Sequence, residues 1–104
     1  KIHSNDQHSK QIYGFFNMIK YNLTDVYILE CMNNDKLQKW GIARIPNIKK
    51  SLFYQNIFKR KKAIVVKCIY NYKFRKWEPI NIVDNSKISN MNQLKSLVYE
   101  DINY

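Results

Sequence analysis

Tyr70, Tyr72, Lys73, Phe74, Arg75, Lys76 and Trp77 interleave aromatic rings with cations over one short run. Such a run can hold a strand of nucleic acid. Cations follow the phosphates, and each exposed ring offers a plane to an unpaired base, at roughly 1–3 kcal/mol per stacked base. A second segment, Lys59-Arg60-Lys61-Lys62, is the densest block of positive charge. Both lie between Lys36 and Trp77, a stretch with no Asp or Glu that holds thirteen of the eighteen Lys and Arg. The formal net charge of +10 is therefore uneven along the chain, and a field of one sign attracts phosphate polyanions.

Codon usage competes as a source of lysine. Fifteen Lys against three Arg, with fourteen Ile and thirteen Asn, is the pattern of an AT-rich genome. Such drift adds lysines, yet it does not by itself clear acids from forty-two consecutive positions. The expected nucleic-acid contacts are thus Lys59, Arg60, Lys61, Lys62, Tyr72, Lys73, Arg75 and Lys76, on RNA or single-stranded DNA. The alternative is a protein-interaction or assembly module, for which Tyr13, Phe15, Phe16 and Tyr21 supply more rings than one apolar stripe needs.

Groups for bond-making chemistry are sparse. His3 and His8 stand near the amino end and form no metal-ligand spacing with Cys31 or Cys68. Both cysteines sit in apolar runs and read as small buried hydrophobes. Without a CxxC pair they provide neither a disulfide framework nor a zinc ribbon, which suits a reducing, intracellular setting. Gly14 and Gly41 are isolated, so no glycine loop cradles a phosphate. With no nucleophile–base pair, metal set or cofactor motif, the expectation is a non-catalytic domain.

Secondary structure must position these residues. A chain of 104 residues, 45% apolar and 25% charged, suffices for one domain with a core. No apolar run approaches the ~20 residues of a membrane span, and no signal peptide is recognisable. Ile12, Phe15, Phe16 and Ile19 recur at helical spacing and predict a helix over 9–20, capped by Asp6 or Ser9. Residues 24–32 predict a strand, Asn33-Asn34-Asp35 a turn, and 37–45 a return strand ended by Pro46. A second helix is expected over 49–59, using Leu52, Phe53, Ile57 and Phe58. Residues 62–72 predict a strong strand, with Ile64, Val66, Cys68 and Tyr70 on one face. Residues 76–83 return, with Pro79 favouring an edge or a bulge. A closing helix over 89–99 presents Leu94, Leu97 and Val98. The order αββαββα predicts an α+β domain, an antiparallel sheet with packed helices over 9–104, after a flexible tail of residues 1–8.

An internal match supports that order. Asn34, Lys36, Leu37, Lys39 and Trp40 correspond to Asn71, Lys73, Phe74, Lys76 and Trp77 at an offset of 37, as do Cys31 and Cys68. Asn17-Met18-Ile19-Lys20 corresponds, after a two-residue slip, to Asn56-Ile57-Phe58-Lys59. Two duplicated αββ units, about 9–46 and 47–84, are the expectation. Trp77 is then a core position with Trp40 as its counterpart. Glu30 and Lys67 are expected as a cross-strand pair.

Residues 62–98 also carry a family pattern: Val65-Val66-Lys67-Cys68 as a strand, Lys76-Trp77-Glu78-Pro79-Ile80 as its return, and Asp84 to Asn90 leading into a helix. This resembles the closing part of the OB-fold domain of mRNA-capping guanylyltransferases and related nucleotidyl transferases. The resemblance implies an OB-like barrel as the alternative architecture. In that family an Arg-x-Asp-Lys-type segment after the Trp strand contacts nucleotide phosphates. Here that stretch is Asn81-Ile82-Val83-Asp84-Asn85-Ser86-Lys87, without the arginine and with Asp84 and Lys87 apart. The nucleotidyl-lysine motif is also missing from the chain, so the resemblance implies a detached or degenerate OB-type domain without transferase activity.

Overall fold

Strand periodicity dominates the computed structural model, which describes residues 10–102. Five strands, β1 (Tyr13–Lys20), β2 (Tyr27–Asn33), β3 (Lys36–Ile42), β4 (Ala63–Asn71) and β5 (Lys76–Ile82), form one sheet. Helix α1 (Ile48–Ile57) joins β3 to β4, and helix α2 (Met91–Ile102) follows β5. The sheet order is β3-β2-β1-β4-β5, and every neighbouring pair is antiparallel. The chain is thus a small α+β domain, with element order βββαββα in place of αββαββα. The expected tail, the candidate helix caps Asp6 and Ser9, and His3 and His8 lie outside the described residues.

The first helix expected over 9–20 is instead strand β1. Gly14, Phe16 and Met18 are buried, while Phe15, Asn17 and Ile19 between them are half-buried. Because β1 is the central strand and is apolar on both faces, residues from opposite faces imitate a helical spacing. The Asn17–Lys20 and Asn56–Lys59 matches accordingly fall on a strand and around the end of a helix. The offset of 37 instead relates hairpin β2–β3 to hairpin β4–β5, with Cys31 and Cys68 buried at equivalent places. Since β1 lies between β2 and β4, Glu30 and Lys67 do not pair. Glu30 accepts a hydrogen bond from Asn17 Nδ2 at 2.8 Å, and Lys67 Nζ stands 4.5 Å from the Tyr13 ring centroid.

The core fills one face of the sheet with Phe16, Met18, Tyr27, Leu29, Cys31, Val66 and Cys68. Trp77 joins it edge-on to Phe16, with ring centroids 5.2 Å apart, and Trp40 packs against it half-buried. Helix α1 starts at Asn47, whose side chain accepts the Lys50 N–H at 2.9 Å. It docks through Tyr54, Ile57 and Phe58, with Phe58 stacked on Tyr27 at 5.2 Å. Leu52 and Phe53, expected on the inner face, are exposed: Lys49, Lys50, Ser51, Gln55 and Asn56 are scattered among the apolar residues around the helix, so its own pattern does not choose a face.

Helix α2 buries Leu94 and partly buries Met91 and Val98, while Leu97 stays 37% exposed. Its position is set by Ser89, just before it. The Phe15 N–H donates to Ser89 Oγ at 2.8 Å, the Ser89 N–H to the Phe15 carbonyl at 2.7 Å, and the Met32 N–H to the Ser89 carbonyl at 2.9 Å. Ser89 thus ties β1 to β2 beyond the end of their own ladder at Asn17 and Glu30. Among the described residues, no helix is long and apolar enough to cross a membrane.

Candidate nucleic-acid interface

The sheet divides the expected contacts into two groups. Lys59, Arg60, Lys61 and Lys62 follow α1 and are all exposed. The N–H groups of Lys59, Arg60 and Lys61 donate to carbonyls of Asn56 and Ile57, which satisfies the last turn and places positive charge at the negative end of the helix dipole. Lys61 reaches Asp84 at 3.5 Å, with both side chains about half exposed, so the pair adds little stability. Asp84 also accepts the Val65 N–H at 3.3 Å, which fastens the segment after β5 to β4.

Tyr72, Lys73 and Arg75 form the β4–β5 turn, and Lys76 opens β5. At about 3.3 Å per residue, the length of β4 holds this turn well over 20 Å from Lys62. The structure therefore does not bring the two groups into one patch.

The turn is tightly braced. The Phe74 N–H donates to Asn71 Oδ1 at 3.1 Å, and Asn71 Nδ2 donates to Glu78 Oε2 at 2.8 Å. Glu78 also pairs with Arg44, whose guanidinium lies 4.0 Å from the Phe74 ring centroid. Tyr72, expected to be exposed, is half-buried: its hydroxyl donates to the Lys10 carbonyl and its ring stands edge-on to Tyr70. Lys73, Arg75 and Lys76 remain exposed. Arg75 has φ of 54°, a left-handed conformation that costs a side-chain-bearing residue of order 1 kcal/mol or more.

Beside this turn the edge strands approach each other. The Arg44 N–H, just beyond β3, donates to the Trp77 carbonyl of β5 at 2.8 Å. Between these edges opens a cleft of about 340 Å³, lined by Trp40, Gly41, Arg75, Lys76, Trp77 and Lys95 among others. Burial pushes the Tyr70 phenol in its wall above its ordinary value, against a smaller downward pull from Arg75. Burial likewise raises the Cys31 thiol, opposed by its backbone hydrogen bond and by Lys95.

Trp40, Gly41 and Lys95 are absent from the sequence-derived contacts. Trp40 carried a signal as the counterpart of Trp77; Lys95, from the closing helix, carried none. A register shift opposite Leu29 and Glu30 takes Trp40 out of the strand alternation, since Gly41 pairs with Leu29 and Lys39 with Glu30.

A larger open groove of about 850 Å³ runs along α1, between Leu52 and Phe53 on one side and Ile80 and Ile82 on the other. Among the described residues no three His, Cys, Asp or Glu side chains gather to hold a metal ion. No protein-family model and no curated protein matches the chain.

Proposed function

We propose that the chain is a non-catalytic nucleic-acid-binding domain that takes RNA or single-stranded DNA. The observation that carries this reading is the meeting of exposed cations with aromatic side chains at the β4–β5 turn: Arg75 and Lys76 line a cleft with Trp40 and Lys95, and Lys73 Nζ lies 5.6 Å from the Phe74 ring centroid. A connectivity of three strands, a helix and a two-strand hairpin supports an OB-type barrel, as does the contact between the edges of β3 and β5. Barrels of that type bind oligonucleotides on strands 2 and 3 and on the loop between strands 4 and 5, the loop that carries Arg75 here. The capping-enzyme resemblance of residues 62–98 agrees with this architecture.

Fluorescence anisotropy with labelled single-stranded RNA, single-stranded DNA and duplex DNA at several salt concentrations tests the reading. Affinity falls steeply with salt and single strands are preferred, because phosphates release counterions while rings need unpaired bases. Alanine at Lys73, Arg75 and Lys76 weakens binding and flattens the salt slope, and so does alanine at Lys59, Arg60, Lys61 and Lys62 if that end also touches the strand. Absence of binding at low salt overturns the proposal.

A second reading, docking onto a protein partner, is favoured by Ile48, Leu52 and Phe53, which leave α1 with an exposed apolar face. Lys49, Lys50 and Lys59 surround the adjoining groove and favour an acidic partner. Under that reading Leu52→Asp abolishes partner binding and leaves nucleic-acid affinity intact.

A further inference from the structure

We infer that the cleft between β3 and β5 is a socket for a single unpaired nucleobase, an assignment that rests on the nucleic-acid reading above. Its size, about 340 Å³, lies at the small end of ligand pockets. Its walls are apolar, with the half-buried Trp40 beside Leu29, Ile42, Val98 and the edges of the buried Tyr70 and Trp77, and cations line it too, which matches a flat base flanked by phosphates.

The walls are rigid. Trp77 is held edge-on by Phe16 and tilted against Tyr70 at 5.1 Å, so its indole is fixed before any ligand arrives. Trp40 also lines the cleft, at the bulge in β3 that takes it out of the strand alternation. Arg75 and Lys76 reach the mouth from the turn, and Lys95 reaches it from α2. No carboxylate lines the cleft among the described residues. Two independent elements therefore supply cations to one opening, with Trp40 and an apolar wall behind them.

Gly41 keeps the cleft open. Its φ is not positive, so the backbone does not require glycine. A Cβ built there would meet no heavy atom within 4 Å, so packing does not require it either. Gly41 pairs with Leu29 and both line the cleft, so a side chain at this position would share that face. The residue is thus best explained by the space it leaves, and the same space makes a blocking substitution that the fold tolerates.

The test compares wild type with Gly41→Leu on two short single strands of equal length, one with all its bases and one with central abasic sites. Melting temperature first verifies that Gly41→Leu folds. Wild type binds the full strand on the order of tenfold more tightly than the abasic strand, with quenched tryptophan emission. Gly41→Leu binds both strands at the abasic level with an unchanged salt slope. If wild type binds both equally, or Gly41→Leu keeps the discrimination, the socket is wrong and phosphate recognition stands. If wild type binds neither strand at low salt, the nucleic-acid reading falls and the socket falls with it.

Discussion

Leu94 of α2 lies so close to Gly14 of β1 that a Cβ on Gly14 would stand 2.9 Å from Leu94 Cδ2, and 2.9 Å from Phe16 Cε2. Both neighbours are completely buried, so neither can yield. Gly14→Ala is expected to destabilise the domain by about 1–3 kcal/mol through overpacking, and Leu94→Ala by about 2–5 kcal/mol through a cavity. The double variant is expected to lose less than the sum, because the added methyl enters the space Leu94 vacates. Urea unfolding of the four proteins measures this coupling, and strict additivity would contradict the contact.

Tyr27 is fully buried in the core, and its hydroxyl has no hydrogen-bond partner. An unpaired buried hydroxyl costs more than it returns. Tyr27→Phe is expected to leave stability unchanged or raise it by up to about 1 kcal/mol, while the stacking on Phe58 persists. A loss of more than about 1 kcal/mol in denaturant unfolding would show that the hydroxyl is paired after all.

Alkaline pH should weaken the fold. Burial pushes the Tyr54 phenol from 10.0 up to about 12 and raises the Cys68 thiol well above 9.0. Their folded values lie above their unfolded ones, so their contribution is complete below the unfolded values and is lost as pH rises toward the folded ones. The melting temperature is expected to hold near neutrality and to fall from about pH 9 upward. Tyr54→Phe should make that fall shallower, and equal slopes would remove Tyr54 from the account. The two buried thiols should also resist a thiol reagent until the protein unfolds.

Arg75 holds a left-handed backbone conformation at the tip of the β4–β5 turn. Arg75→Gly relaxes that strain but enlarges the freedom of the unfolded chain, so the net gain is at most about 1 kcal/mol. Nucleic-acid affinity is expected to fall in the same variant, with a reduced salt slope. Thermal melts and anisotropy titrations read the two effects separately. Unchanged affinity would mean that the guanidinium serves the turn alone.

Several features were legible in the residues themselves. The run of β-formers around Ile64, Val66, Cys68 and Tyr70 identifies β4 and groups those four on one face, because side chains alternate along a strand. That this face is the buried one is decided by packing, since Val65 and Ile69 make the other face apolar too. The turn at Asn34 and Asp35 is equally local: both residues have positive φ, which their short polar side chains tolerate. The acid-free stretch and the cations of the β4–β5 turn are also plain from composition.

The rest depended on what each segment meets. The segment containing Phe15 and Phe16 is apolar on both sides, and only its place between β2 and β4 makes it a strand. Helix α1 mixes polar and apolar residues on every side, and only docking on Tyr27 turns Tyr54 inward and Leu52 outward. The cleft joins Trp40 and Gly41 to Trp77 and Lys95, residues far apart in the chain and on three different elements. No local pattern encodes such a meeting, because it arises from the long-range approach of the two edge strands and the seating of α2. Residue type and spacing thus determined the strands of both hairpins and the basic character of the chain, while tertiary packing alone decided the first element, the docked helix faces and the cleft.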